Sequence, residues 1–357
     1  MSLARKVSYL NKLRRVHRQY GGSWMRAAQR FYDLTGPRQF SPNEVFVLGL
    51  MDPALDVADL DRFISKQTLL DRQSAVNPRD HYRLTEDKVL FFRHCIANDL
   101  PTPKILGIWS SRNGYLNHPS IPFIPVVNDA QDWRALMESL DTPALVIKPI
   151  DGVHGESVML LERDNEVFHT HDGADLDVNQ LLARMRASHY SHWMVQQRLY
   201  AHPEIAAITG SKNLSTARVV TWVDAENCAR VIFAWLRIIG GSDAFDNFNF
   251  GAAGNYVGTV DLETAKIRYV LDVRADGCGL QEVIRHPGSG KDMRGFAIPY
   301  GQQMFEIVQR AAGCFAPLRT IGWDLAITAH GVALVEGNVT WDPLPTREDL
   351  ARIAALK

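Results

Sequence analysis

Residues 322–338, GWDLAITAHGVALVEGN, constrain this chain more than any other stretch. Two apolar runs flank Ala329-His330-Gly331 and read as the arms of a β-hairpin. A three-residue loop with Gly331 in the left-handed position predicts that Thr328 faces Val332, Ala326 faces Leu334 and Asp324 faces Glu336. Side chains alternate along a strand, so Asn338 falls on the same face as both carboxylates, with Ala326, Val332 and Leu334 beside them. Opposed like charges destabilise a ladder unless positive charge lies between them. A divalent cation would supply it. The plainer alternative is a solvent-exposed face on which both carboxylates are simply hydrated, and a one-residue slip in register would part them.

A second constrained stretch is VIKPIDGVHGESVML, beginning at Val146. A strand ending in Lys148-Pro149 runs into a loop with Gly152 and Gly155, then into another strand. Glycines let backbone N–H groups approach phosphate oxygens closely, and a lysine at the root of the loop adds a point charge. The Walker spacing G-x-x-x-x-G-K-[ST] is absent, and a strand follows, so no helix N-terminus awaits phosphate.

The rest of the chain sorts into an α+β pattern without regular βαβ alternation. Residues 1–84 read as a mostly helical region, in which Ser41 caps a helix whose first turn takes Pro42. Residues 85–200 open with a helix in TEDKVLFFRHCIANDLPTP, capped by Thr85 and stopped by Pro101 and Pro103. Short β-rich runs and the helix DVNQLLARMR follow. Residues 201–357 hold the strands TARVVTWV, ARVIFAWLRII, YVGTVDL and KIRYVL, the helix QQMFEIVQRAAGCFA, and the hairpin. At 357 residues such a chain supports two or three lobes and a sizeable core.

With 39 Lys and Arg against 40 Asp and Glu, there is no global electrostatic case for a nucleic acid or an anionic membrane. The first thirty residues depart from this balance. Arg5, Lys6, Lys12, Arg14, Arg15, Arg18, Arg26 and Arg30 interleave with Val7, Leu10, Leu13 and Val16 at helical spacing. Such a helix can lie on a membrane or a nucleic acid, although docking on its own protein with a solvated basic face is the commoner arrangement. No apolar run nears the ~20 residues of a membrane span, and charges stand where a secretion signal needs its apolar core, which predicts a cytoplasmic location. Cys95, Cys228, Cys278 and Cys314 are scattered, as reduced thiols are. His169, His171, His189 and His192 lack further ligands at zinc spacing and read as structural.

Taken in order, the EDK helix with Lys88, VIKP with its glycine loop, NLSTARVVT, and the Asp…Glu-x-Asn hairpin resemble the ATP-grasp superfamily. SKNLSTARVVTW, WLRIIGGSDAFDNFNFGAAG and IGWDLAIT…VALVEGN are most similar to its branch found near sugar-transfer and exopolysaccharide genes, related to glutamate ligases. The likeness covers roughly residues 85–345. It implies an ATP-grasp fold, two α+β lobes gripping ATP, with the helical N-terminal region apart from them.

The resemblance also implies roles. Lys88 and Lys148 bind ATP phosphates from either side of a cleft, and the loop carrying Gly152, His154, Gly155, Glu156 and Ser157 folds over the triphosphate. Gln196, Gln197 and Leu199 meet the adenine, and Glu204 the ribose. Arg218 and Arg237 face the γ-phosphate and the acceptor carboxylate, where with Lys148 they offset developing oxyanion charge. Asp324, Glu336 and Asn338 hold Mg²⁺, normally two ions, with Mn²⁺ an alternative. A structural ion pair is the competing role for each arginine, and Arg237 amid VIFAWLRII would be costly to bury without a partner. The chain departs from the pattern where Gly251-Ala252-Ala253-Gly254 replaces an expected glycine pair, and where Gln196 replaces a common glutamate. Residues 1–84 are also unlike the N-terminal lobe that often shapes the acceptor site.

The activity so implied is ATP-dependent joining of a carboxylate to an amine or a thiol through an acylphosphate, with no protein nucleophile. A small-molecule kinase on the same fold and a non-catalytic nucleotide-binding scaffold are the alternatives.

Overall fold

The computed structural model describes residues 3–111, 124–152, 157–241, 244–248 and 251–342. Every described element before residue 105 is helical. Ser41 caps the helix Pro42–Val47: its hydroxyl accepts from the Glu44 N–H at 3.3 Å, and the Glu44 carboxylate accepts from the Ser41 N–H at 2.7 Å. The other Glu44 oxygen accepts from the N–H of Lys66, first residue of the helix Lys66–Val76, at 2.7 Å. One buried carboxylate therefore fixes the start of two helices.

The helix Lys88–Ala97 is capped by Asp87, not by Thr85. Asp87 accepts from the N–H groups of Val89 and Leu90, each at 3.0 Å, the reach a short carboxylate has from the cap position. Thr85 lies in the preceding turn Arg83–Glu86 and gives its hydroxyl to the Tyr82 carbonyl.

Two seven-stranded sheets follow. The first holds β1 (Ile105–Ser110), β2 (Val126–Val127), β3 (Ala144–Pro149), β4 (Met159–Asp164), β5 (Val167–Thr170), β6 (Asp175–Leu176) and β7 (His192–Gln197), in the order β2-β1-β7-β3-β4-β5-β6. The sequence pattern assigns no strand to ILGIWS, which is β1. It is buried at every position, so it shows no alternation to read. The second sheet holds β8 (Ala217–Val223), β9 (Ala229–Ile238), β10 (Tyr256–Val260), β11 (Ile267–Val273), β12 (Leu280–Glu282), β13 (Thr320–Thr328) and β14 (Gly331–Asn338), in the order β12-β11-β10-β9-β8-β13-β14.

Alternation along β8 and β9 gives the second sheet two different faces. Ala217, Val219, Ala234, Leu236 and Ile238 pack against the helix Gly301–Cys314. Val220, Phe233, Trp235 and Val257 pack instead against Leu34, Phe46, Leu50 and Leu69 of the helical region, with Trp341 between them. Fully burying one such side chain contributes about 1.5–3 kcal/mol, so this second core is substantial. It is also stitched by polar groups. The Asn77 side-chain amide donates to the Thr320 carbonyl at 2.8 Å, while its oxygen accepts from the N–H groups of Arg319 and Thr320. Gln73 donates to the Trp341 carbonyl at 2.8 Å.

The hairpin keeps its central pairing by a different route from the one expected. Its loop is the two residues Ala329-His330, so Thr328 faces Gly331, Ile327 faces Val332 and Leu325 faces Leu334. Gly331 has φ +118°, a value that excludes most side chains. Val332 and Leu334 point into the core beside the helix Gly301–Cys314, away from Asp324. Residues 332, 334, 336 and 338 share one parity, yet two are aliphatic and two polar, so unbroken alternation cannot send the pairs to opposite faces. A bulge at Val335 resolves the conflict by inserting one unpaired residue, after which Asp324 faces Glu336 and Gly322 faces Asn338.

Candidate active site

A cavity of about 680 Å³ opens between the sheets, within the ~300–1,000 Å³ usual for small-molecule sites. Lys88, at the start of its helix, and Lys148, near the end of β3, enter it from the first sheet's side. Arg218 on β8 and Arg237 on β9 enter from the second sheet, with Asp324, Glu336 and Asn338 of the hairpin. Gly152, Gln196, Gln197 and Leu199 also line it. Ser157 and Glu204 do not: Ser157 is exposed at φ +59°, and Glu204 lies in the first turn of the helix Pro203–Thr209 outside the cavity wall. His154, Gly155 and Glu156 lie outside the described residues.

Both lysines are buried, and neither is neutralised by a salt bridge among the described residues. The Lys88 ammonium donates to the carbonyls of Ile150 and Gly152, at the root of the glycine loop. Burial lowers the Lys148 pKa to about 8, with the Lys88 charge adding to the shift while Glu336 and Asp324 oppose it. Six cations line the cavity against four carboxylates, so it is poised for an anion.

The arginines are arranged differently. Arg218 grips Asp324 with two parallel bonds, from Nε to Oδ1 and from Nη2 to Oδ2 at 2.7 Å. Arg237 Nη1 approaches the same Oδ2 at 3.3 Å, donates to the Thr216 hydroxyl at 3.1 Å and lies 4.0 Å from Asp246. Burial pushes the Asp324 carboxyl up, but the two guanidiniums outweigh it and hold the group below its ordinary range. The positive charge that answers Asp324 across the ladder is thus Arg218, its register partner on β8. Gly322 makes room for this grip, since a Cβ there would lie 2.7 Å from that of Trp341 and 3.3 Å from Arg218 Cδ.

Glu336 makes no hydrogen bond or ion pair with the described residues, and Asn338 uses only its amide N–H₂, toward the Gly322 carbonyl at 3.3 Å. Their free oxygens are of the kind Mg²⁺ takes. Both Asp324 oxygens are engaged, yet a carboxylate has about four lone-pair sites, so sharing with a metal ion is chemically open to it. The donor set fits a hard cation, with Glu336 as its unengaged member.

Several cavity residues carried no clear sequence signal. Asp246 is buried and accepts from the Thr216 hydroxyl at 2.6 Å; burial raises its pKa against the pull of Arg237. Its place in DNFNF, a polar-aromatic alternation, was the available hint. Lys66 reaches the cavity from the helical region and pairs with Asp342 at 2.7 Å, a contact between residues too distant in sequence to suggest it.

A family model described as sugar-transfer associated ATP-grasp matches residues 70–348. The chain belongs to that family, and its fold is the ATP-grasp fold. Among solved structures it is similar to the D-alanine-D-alanine ligase from Coxiella burnetii, at 8% identity and TM-score 0.40, covering 73% of this chain and 50% of that one. A RimK domain ATP-grasp protein from Sphaerobacter thermophilus matches at 13% identity and TM-score 0.40, covering 77% and 68%. The ATP-grasp ligase PsnB matches at 16% and 0.36, covering 78% and 60%. The chain thus spans about half the length of the first of these. No curated protein matches it in sequence. No described helix is long and apolar enough to cross a membrane.

Proposed function

We propose that this protein is an ATP- and Mg²⁺-dependent ligase joining a carboxylate to an amine or a thiol. One observation carries the reading: a buried lysine pair and an arginine pair share a cavity with an unengaged glutamate, between two sheets of an ATP-grasp chain. Lys88 and Lys148 hold the phosphates, and Gln196, Gln197 and Leu199 meet the adenine. Glu336, Asn338 and Asp324 hold Mg²⁺, which offsets phosphate charge when bound. Arg237, anchored through Thr216 and Asp246, presents a fixed guanidinium to the acceptor carboxylate. A carboxylate oxygen attacks the γ-phosphorus and ADP leaves. The amine then attacks the acyl carbon, phosphate leaves, and the amine loses its proton. Positioning and electrostatics carry the catalysis.

The test is thermal unfolding of wild type and Glu336→Gln with ATP, with and without Mg²⁺, followed by phosphate release with carboxylate and amine pairs. At about a hundred times Kd, MgATP stabilises wild type by ~2.7 kcal/mol, and the substitution removes most of that shift. No shift in either protein would sink the reading. Turnover to a stable phosphate ester of a hydroxyl acceptor, with no amine needed, would make the protein a kinase.

A further inference from the structure

The first 32 residues contain eight of the chain's 39 lysines and arginines and none of its 40 carboxylates. The helix Leu3–Tyr20 docks on its own protein on one side, with Val16 buried and Tyr9 and Leu13 against the second core. Its other side presents Leu10, Arg14 and Arg18 at four-residue spacing, all exposed. The next helix, Trp24–Thr35, buries Leu34 and presents Met25, Ala28 and Tyr32 along one line, with Arg26 alongside. Trp24 stacks on His17 with ring centroids 4.1 Å apart, tying the two helices together. Met25 is 81% exposed, Tyr32 65%, and Leu10 and Trp24 49% each. Of the eleven large hydrophobic residues exposed among the described ones, these four and Tyr20 fall within residues 10–32, so the exposure is concentrated.

We propose that this outer face docks on an anionic lipid bilayer. Arg14, Arg18 and Arg26 make no ion pair among the described residues, which leaves their charge available to lipid phosphates. Asp33, next along the chain, accepts from Gln29 Nε2 at 2.8 Å, and Asp276 accepts from Arg15 through its backbone carbonyl at 3.2 Å. Bare basic charge would serve a nucleic acid equally well, but Leu10 and Met25 have nothing to give a phosphate or a base edge. They gain by entering acyl chains, and Trp24 and Tyr32 suit the headgroup level where one edge is apolar and the other wet. The surface lies outside the catalytic cavity and stands whether or not the ligase reading does.

The test is co-flotation of the full chain with vesicles of phosphatidylcholine alone and of equal parts phosphatidylcholine and phosphatidylglycerol. Wild type floats with the anionic vesicles only, and salt weakens the association. Each cation near such a surface is worth roughly fivefold in partitioning, so Arg14→Glu with Arg18→Glu lowers it well over tenfold. Met25→Ser with Tyr32→Ser lowers it at unchanged charge, which separates insertion from simple attraction. Both pairs of substitutions sit on exposed positions, and unchanged unfolding temperature verifies their fold. Three outcomes would each overturn the proposal: no flotation of wild type, flotation indifferent to both pairs, or tighter retention on single-stranded RNA than on anionic vesicles.

Discussion

The two ends of the cavity solve the burial of cations in opposite ways. At the lysine end, Lys88 meets, among the described residues, only carbonyl oxygens, and Lys148 is held at a pKa of about 8 with Glu336 as its largest counter-charge. At the arginine end, Arg218 and Arg237 close on Asp324, with Asp246 and Thr216 behind them. The first arrangement leaves electrostatic demand for a ligand to meet. The second satisfies itself and is rigid, so it supplies a fixed reference against which a ligand is aligned.

The largest break in this comparison comes from Arg218→Met. It removes the bidentate partner of a buried carboxylate and is expected to cost about 3–5 kcal/mol, read by urea denaturation. Lys148→Met, by the same measurement, is expected to leave the ligand-free protein as stable or more so, since it removes a buried charge with no salt bridge among the described residues. A finer probe is Gly322→Ala. Its methyl meets Trp341 backing and the Arg218 side chain, and the expected loss is about 1–3 kcal/mol with a weakened MgATP shift.

The smallest effect sharpens the contrast without breaking anything. Because the Lys148 pKa lies near 8 in the free protein, bound polyphosphate raises it, and binding at pH 8 takes up as much as about half a proton. Calorimetry in two buffers of different ionisation enthalpy reads this directly. The uptake falls toward zero near pH 6, where the lysine is already charged, and is absent in Lys148→Met. The sign for stability agrees: the folded pKa lies below the unfolded one, so the burial cost is full below pH 8 and eases as pH rises toward 10.5. Against the cost of burial, the Asp324 carboxylate raises the pKa of Arg218, which contributes no proton.

Most of the strands and the Ser41 cap were legible because each rests on local alternation or a local cap, and motif position was enough to bring Lys88, Lys148, Arg218 and Arg237 to one cavity. The bulge at Val335 was not read from the sequence, where strict alternation put Val332 and Leu334 on the carboxylate face; its local trace is that two aliphatic and two polar positions share one parity. The Arg218 grip on Asp324 was hidden, since it depends on β8 lying beside β13, a pairing across about a hundred residues. Glu204 differs from these: motif position points it to a ribose, and the structure leaves it exposed in the first turn of its helix, not among the residues that line the cavity.

Asn77 has a consequence for which parts of this chain can be exchanged. Its side chain completes the backbone bonding of Arg319 and Thr320, at the head of the strand that carries Asp324. Gln73, a turn earlier, does the same for the Trp341 carbonyl beyond Asn338. Grafting a foreign N-terminal region at residue 85 would therefore orphan polar groups at both ends of the hairpin as well as uncover Phe233 and Trp235. The family match begins at residue 70, inside that same helix, so the matched stretch includes both side chains that seam the hairpin to the helical region.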